Sequence, residues 1–255
     1  MRVLVCVKRV PAPGARILIT PDGQDVNASN LSFVISPHEE CAVEAAVQLV
    51  ETHGGDSTVL TVGPPEASDQ LRSAASVGAD KAALVATDGT DWDPVRTAAA
   101  ITDAVRHIEV ADGPFDLILF GNESADAGGY QVGVRVAHAL SRPIVNGAKS
   151  IDVDDTYVMV RRGVDAGFEV YRIPLPAVVG VSEGINLPRY PTLKGRLASK
   201  RIEIAEVVTS VGSGPQAMVR LIEPEDQTTE TVELGRGPDA ASAVVDMLEE
   251  VGVLS

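Results

Sequence analysis

A run of small and polar residues between two apolar segments is the part of this sequence best suited to bind a ligand. It comprises Gly121, Asn122, Glu123, Ser124, Ala125, Asp126, Ala127, Gly128, Gly129, Tyr130 and Gln131, and Val132 follows it. Its glycines allow close approach of the backbone, so that main-chain N–H groups can face an anion. A loop of this kind in front of a helix N-terminus commonly binds phosphate. The run is therefore a candidate nucleotide site.

The flanking segments indicate how the run is positioned. Four large apolar residues at 117–120 are too few for a helix and are typical of a strand buried on both faces of a parallel sheet. After the run, apolar residues recur at helical spacing at Val132, Val134, Val136, Ala137 and Leu140. We therefore expect a central strand, the candidate loop and a helix, in that order.

Two simpler explanations apply to parts of the run. The glycines are equally typical of a tight strand-to-helix connection, and Asp126 is a candidate N-cap of the following helix. The ten residues at 121–130 exceed the roughly two to six that such a connection needs. The length therefore favours a binding loop.

Composition limits the class of protein. The 255 residues, 45% of them hydrophobic, are enough for one large α/β domain or a domain with an appended arm. Twenty-one basic and 36 acidic residues give a net charge of −15, which argues against non-specific binding to nucleic acid or anionic membranes. No apolar run reaches the ~18 residues of a membrane span, and Lys8 interrupts the first apolar segment too early for a signal peptide. We expect a cytoplasmic protein.

The cysteines and histidines do not indicate metal binding. Cys6 lies in a strand pattern and Cys41 in a helix pattern, so both are expected to be buried free thiols. The four histidines are scattered without metal-ligand spacing.

Strands and helices are expected to alternate as far as residue 140. Ser36, Pro37 and Glu39 have the spacing of a capping box at the start of a helix over 37–53. The other predicted helices cover 66–77, 94–107 and the segment from 132, and the predicted strands cover 3–7, 58–62, 82–86 and 117–120. Such alternation predicts a parallel sheet with helices on both faces.

The pattern changes after residue 145. Alternating apolar and polar residues at 149–153, 157–161 and 168–173 predict antiparallel strands at the sheet's edge, and 176–181 is again a buried strand. Residues 205–237 are acidic with little predicted structure, and 239–251 is a short amphipathic helix. We expect an α/β domain over 1–204 and an extended C-terminal arm over 205–255.

The segment 184–202 has no acidic residue although it carries five basic ones. A basic segment in an acidic protein is often only a solvated face. Arginine, tyrosine and leucine side chains mixed with two prolines are, however, typical of an interface. The candidate docking residues are Arg189, Tyr190, Leu193, Lys194 and Arg196.

Several of these segments together carry a family resemblance. They are VCVKRV (5–10), SPHEECAVE (36–44), ASVGAD (75–80), the 116–133 segment, LPAVV (175–179) and PRYPTL (188–193). In this order and spacing they resemble the β subunit of electron transfer flavoprotein, over about residues 1–204.

The resemblance implies a flavodoxin-like α/β domain that binds structural AMP and is an electron carrier rather than an enzyme. An α subunit would complete the heterodimer and hold most of the FAD site. Electrons would come from acyl-CoA dehydrogenases, as in fatty acid oxidation, and pass to a quinone reductase. The protein would be linked to a membrane only indirectly, through that reductase. The AMP contacts would fall on Cys6, Ser36, Pro37, His38, Glu39, Val62 and 121–132. Leu193 would anchor the dehydrogenase, and Arg162 matches an arginine near the flavin-bearing interface.

Three alternatives are weighed against this interpretation. Bifurcating members of the family bind a second FAD where AMP would lie. A nucleotide-hydrolysing enzyme would need a P-loop or a similar motif, which is absent; the segment 212–217 imitates GxGxxA, but a strand-like stretch at 218–222 follows it instead of a helix. A stand-alone nucleotide sensor would need a glycine pattern that 121–135 lacks.

Overall fold

The computed structural model describes residues 1–90, 92–224 and 231–254. The chain divides into two compact units, Met1–Arg220 and Leu221–Ser255. The boundary expected after residue 204 therefore differs from the observed division, because residues 205–220 belong to the first unit.

The first unit is built on strands and helices in close to the expected places. Its strands are β1 (Arg2–Val7), β2 (Val10–Pro11), β3 (Phe33–Val34), β4 (Asp56–Gly63), β5 (Lys81–Ala86), β6 (Leu117–Gly121), β7 (Ile144–Val153), β8 (Tyr157–Val164), β9 (Gly167–Pro174), β10 (Ala177–Val181) and β11 (Ile204–Glu206). Its α-helices are α1 (Pro37–His53), α2 (Ser68–Val77), α3 (Pro94–Asp112), α4 (Val132–Ala139) and α5 (Leu193–Ser199), with short 3-10 turns at Ala28–Asn30 and Pro65–Ala67.

Nine of these strands form one sheet in the order β11-β5-β4-β1-β6-β10-β7-β8-β9. Strands β11 to β7 in that order run parallel, whereas β8 and β9 are antiparallel additions at one edge. Strand β6 is the middle strand of the nine, as its apolar residues predicted. The expected α/β class, with a mostly parallel sheet and antiparallel edge strands, is confirmed.

Helices cover both faces of the sheet because alternate strand residues point to opposite faces. On one face, Val3, Val5 and Leu119 pack in a cluster that includes residues of α1 and α2. On the other face, Leu4 and Ile118 pack with residues of α3 and α4. The central strands are therefore buried on both sides, which explains why their sequences are continuously apolar.

The sequence predicts most helix ends well. Helix α1 has the expected limits, and the Asp93 side chain caps α3 by accepting from the N–H groups of Val95, 2.7 Å, and Arg96, 3.0 Å. Helix α3 continues to Asp112, five residues beyond the expected end at 107. The strand-like stretch expected at 218–222 is wrong, since none of these residues lies in a strand.

The second unit contains a 3-10 turn, Gly237–Ala240, and the helix α6, Ala241–Glu250. Helix α6 confirms the short amphipathic helix expected near the end of the chain. Among the residues that the structure describes, no helix is long and apolar enough to cross a membrane.

Candidate functional site

The candidate site is a crevice at the carboxyl ends of β1, β4 and β6. In the sheet, β4 lies on one side of β1 and β6 lies on the other, so the strand order reverses direction at β1. A point where the strand order reverses in this way is where open α/β sheets generally bind ligands. The N-terminus of α1 and the loop 121–132 both reach this point.

Glu39 joins the segments around the crevice. Its carboxylate accepts hydrogen bonds from the Lys8 N–H, 2.9 Å, the Ser36 N–H, 3.1 Å, and the Ser36 hydroxyl, 3.0 Å. The end of β1 and the start of α1 are therefore linked through one side chain. A Cβ at Gly121 would lie 2.6 Å from Cγ of Glu39, so only glycine allows β6 to approach this closely.

Burial changes the acidity of two groups here. Loss of hydration raises the pKa of Glu39 to about 8, although the donors from Ser36 and Lys8 act in the opposite direction. The acid form fits the same geometry, because the Ser36 hydroxyl can accept a hydrogen bond from the protonated carboxyl group as well as donate one. Burial, and secondarily Glu39, also raises the pKa of Cys6, which is an unreactive thiol in this setting.

The loop 121–132 is fixed at its first residues and exposed further along. The Asn122 N–H donates to the Val181 carbonyl, 2.8 Å, and the Gly128 N–H donates to the Ser124 carbonyl, 3.0 Å. Gly128 and Tyr130 have positive φ, each 53°. Residues 125–131 are exposed to solvent, so this part of the loop is accessible to a ligand.

Asp126 forms an ion pair and is not a helix cap. Helix α4 begins at Val132 with Gln131 as its N-cap, so the N-cap interpretation of Asp126 is wrong. Its carboxylate lies 2.6 Å from Nζ of Lys8. Burial alone would raise the pKa of Asp126, but the Lys8 ammonium lowers it below the usual value.

His38 connects the loop to the end of β10. Its Nδ1 accepts the N–H of Glu183 at 2.9 Å, which places the proton of the neutral ring on Nε2. That nitrogen lies 3.4 Å from Oε1 of Glu123. The imidazole therefore orients a carboxylate of the candidate loop.

The structure brings most of the expected site residues together. Ser36 and Cys6 are buried, Pro37 begins α1, and Val62 is partly buried at the end of β4. Two contributors were missed, Lys8 and Glu183. Lys8 could have been recognised from the sequence, since it is a basic residue directly after a buried strand. Glu183 could not, because it contributes through its backbone N–H and not through its side chain.

Arg162 lies in a neighbouring cavity. This cavity of about 350 Å³ is lined by Asn122, Asn146, Gly147, Lys149, Arg162, Gly163 and Ser182. Nε of Arg162 pairs with Glu169 at 3.2 Å. Asn122 belongs to both the loop and this cavity, so the two sites adjoin.

The candidate docking residues differ in their exposure. Tyr190 is 92% exposed and Leu193, the first residue of α5, is 76% exposed. Lys194 and Arg196 are also exposed. Arg189 is different, because Glu44 and Glu51 of α1 hold its guanidinium.

The acidic, histidine and cysteine side chains of the described residues do not form a metal site. No group of three or more histidine, cysteine, aspartate or glutamate side chains there could hold a metal ion. Cys6 and Cys41 are both free and buried, as expected.

The fold defines an α/β protein of the open parallel-sheet class, with a crevice at its switch point. Residues 26–211 match the electron transfer flavoprotein domain family. The chain belongs to this family and to its β subunits. Members of this group carry electrons and are not enzymes, and a β subunit implies an α subunit as its partner.

Three relatives illustrate the similarity. An electron transfer flavoprotein subunit beta of Bacillus subtilis is 34% identical over 81% of this chain and 79% of its own length. Protein FixA of Sinorhizobium fredii is 30% identical over 97% of this chain and 92% of its own length. The caffeyl-CoA reductase-Etf complex subunit CarD of Acetobacterium woodii is 32% identical over 76% and 73%, respectively.

The raised pKa of Glu39 predicts a pH-dependent stability. Its value of about 8 lies above the ordinary 4.5, so between these pH values the folded chain binds more protons than the unfolded chain. The free energy of unfolding should therefore fall as the pH rises from about 5 to about 8, and level off above that. Glu39→Gln should remove this component, on the order of 2 to 4 kcal/mol.

Urea unfolding between about pH 5 and pH 9 would measure the difference in the free energy of unfolding between the wild type and Glu39→Gln. The contributions of the other titrating groups are the same in both proteins and cancel in this difference. Parallel stability curves for the wild type and Glu39→Gln would contradict the raised pKa.

Proposed function

We propose that this chain holds one AMP molecule in the crevice and completes the FAD site of an α subunit. The resulting heterodimer would accept electrons from acyl-CoA dehydrogenases in the cytoplasm and deliver them to a quinone reductase. The observation that carries the proposal is the loop 121–132, which has exposed residues and whose Glu123 approaches His38 in the first turn of α1, at the switch point of the sheet.

The glycines of the loop fit a phosphate group. A Cβ added at Gly129 would have no neighbouring atom within 4 Å, and one at Gly128 would meet only the Glu123 carboxylate, at 3.7 Å. The space beside the turn is therefore open. The first N–H groups of α4, which begins directly after this turn, have no acceptor within the helix. They are therefore available to a phosphate group.

The charges of the crevice favour a monophosphate. Lys8, directly after β1, supplies a cation, and it is already paired with Asp126 at 2.6 Å. The carboxylates of Glu123 and Glu39 lie nearby, and each would repel a phosphate when ionised. A ligand with a single phosphate, held mainly by backbone N–H groups, meets less repulsion than a dinucleotide such as FAD. This supports AMP over a second flavin.

The cavity at Arg162 is the proposed contact with the flavin of the α subunit. Its lining combines the cations of Lys149 and Arg162 with the amides of Asn122 and Asn146. Such groups can orient and stabilise the electron-rich rim of a flavin. The FAD supplies the redox chemistry when bound, and this chain's residues shape one wall around it.

The nucleotide content of the purified heterodimer tests the proposal. Denaturation and chromatography should release about one AMP and one FAD per heterodimer. Gly129→Val should lower the AMP content several-fold while FAD stays, because the new side chain fills the open space beside the turn. Ala111→Val is the control, since Ala111 is exposed near the end of α3.

Two FAD molecules and no AMP would contradict the proposal and support the bifurcating alternative. Equal AMP content in both variants would contradict the assignment of the loop.

We further propose that the exposed residues of 184–202 dock the dehydrogenase, with Leu193 as the apolar anchor. An anchor buried in a partner pocket typically contributes ~2 kcal/mol, whereas rim charges act mainly on the association rate. Leu193→Ala should therefore slow electron transfer at low partner concentration by about tenfold or more. Val110→Ala is the control, because Val110 is 89% exposed on α3.

Stopped-flow mixing with a reduced acyl-CoA dehydrogenase would measure the effect. Charge reversal at Lys194 should change the dependence of the rate on ionic strength and leave the flavin content unaltered. A wild-type rate for Leu193→Ala at every partner concentration would contradict docking and indicate that the segment is only a solvated face.

The arm is proposed to pack on the α subunit. None of its described residues in α6 is buried, and Val244, Val245 and Met247 on that helix are each more than a third exposed. A helix with an exposed apolar face gains stability from a partner surface. Deletion of residues 238–255 should weaken binding to the α subunit; unchanged co-purification would count against this role.

A further inference from the structure

Arg189 is held by two glutamates of α1. Its Nε donates to Oε2 of Glu44 at 2.9 Å, and its Nη1 donates to Oε1 of Glu51 at 2.7 Å. Its Nη2 bridges both carboxylates, at 3.0 Å to Glu44 and 2.9 Å to Glu51. Every guanidinium nitrogen therefore has a carboxylate partner, and the Arg189 N–H adds a bond to Glu44 of 3.1 Å.

The positive charge of Arg189 is neutralised by the two glutamates. The side chain of Glu44 is 4% exposed, so its carboxylate needs a cation at this position. Glu51 adds a second negative charge, and the three groups together carry a net charge of −1. Arg189 consequently offers no free positive charge to an approaching protein, in contrast to the expectation that grouped it with Lys194 and Arg196.

Other bonds fasten the segment on both sides of Arg189. The Asn186 amide donates to the Cys41 carbonyl of α1 at 3.0 Å. Further along, the Thr192 hydroxyl accepts the Gly195 N–H at 3.0 Å and caps α5. The Arg72 side chain on α2 donates to the Ser199 carbonyl at the end of α5, 3.3 Å.

Apolar side chains project from this fastened segment. Leu187 is 89% exposed, Tyr190 92%, Leu193 76% and Leu197 57%. Four exposed cations, Lys194, Arg196, Lys200 and Arg201, accompany them in a chain of net charge −15. This combination fits a protein partner that presents an apolar pocket with an acidic rim.

We propose that Arg189 is a positioning residue for docking: its fork to Glu44 and Glu51 fixes the segment 186–193 on α1 in the binding-ready conformation. The inference rests on the proposed docking of a dehydrogenase at Leu193. A segment that is already ordered loses less conformational freedom when the partner binds. Lysine cannot replace the arginine in this role, because it lacks the planar set of donors that engages two carboxylates at once.

Arg189→Lys in the assembled heterodimer separates positioning from charge. The variant keeps a cation beside the buried Glu44 and loses the fork, so the chain is expected to fold. Glu51→Gln is a milder second variant, since the Glu51 side chain is 57% exposed. Arg16→Lys is the control, an exposed arginine outside the segment 184–202.

Electron transfer from a reduced acyl-CoA dehydrogenase is measured against dehydrogenase concentration at two ionic strengths. Arg189→Lys should raise the half-saturating concentration about fivefold at both, with an unchanged limiting rate and unchanged AMP and FAD content. Glu51→Gln should act in the same direction, and Arg16→Lys should have little effect. The effects of Arg189→Lys and Leu193→Ala should be less than additive in the double variant, because both act on one contact.

A wild-type half-saturating concentration for Arg189→Lys, alongside a raised one for Leu193→Ala, would overturn the positioning role and leave the docking proposal intact. A change in the ionic-strength dependence like that of Lys194 charge reversal would overturn it too, since it would make Arg189 a recognition charge. Wild-type behaviour of both variants would refute docking at this segment and the inference with it.

Discussion

A carboxyl group withdrawn from water holds the crevice of this protein together. Glu39 is 6% exposed and receives three hydrogen bonds, from one residue after β1 and from the first residues around α1. Its stem also lies against Gly121, where no side chain fits. Because unpaired buried polar groups are costly, these three segments can close only in the arrangement that satisfies the carboxyl group.

Helix α1 extends the influence of this junction across the molecule. Its first turn carries His38 and Glu39 in the crevice, and its later turns carry Cys41, Glu44 and Glu51, which bind the segment 186–193. One rigid helix of 17 residues thus positions both the proposed nucleotide site and the proposed docking surface. The two functions are placed relative to each other by covalent geometry rather than by a flexible linker.

Much of the fold could be predicted because it depends on local patterns. The apolar run at 117–120 and the spacing of Ser36, Pro37 and Glu39 identified the middle strand and the limits of α1 without knowledge of any contact. Features that depend on distant partners could not be predicted in this way. Arg189 resembled a free surface charge because its partners lie 138 and 145 positions away. Asp126 resembled a helix cap because its partner, Lys8, directly follows β1 and is distant in the sequence.

Two further differences between the predicted and the observed structure, helix α5 and the end of the first unit, also arise where local sequence patterns are weak. Helix α5 was not expected, since Pro188, Pro191 and the mixed composition of 184–202 hide its seven residues, whose N-cap is Thr192. The first unit continues past residue 204 because β11 pairs with β5 and the Val207 side chain packs into the core. Three paired residues and one buried valine leave almost no periodic signal in a sequence.

Calorimetric titration of the nucleotide-stripped heterodimer would show whether the crevice where α1, β1 and β6 meet binds AMP, as we propose. AMP should bind the wild type with one site per heterodimer. Gly121→Ala places a methyl group against Glu39 and should weaken AMP binding at least about tenfold, equivalent to about 1.4 kcal/mol, with an unchanged circular dichroism spectrum. No detectable binding of AMP to the wild type, or equal Kd values for the two proteins, would contradict the account.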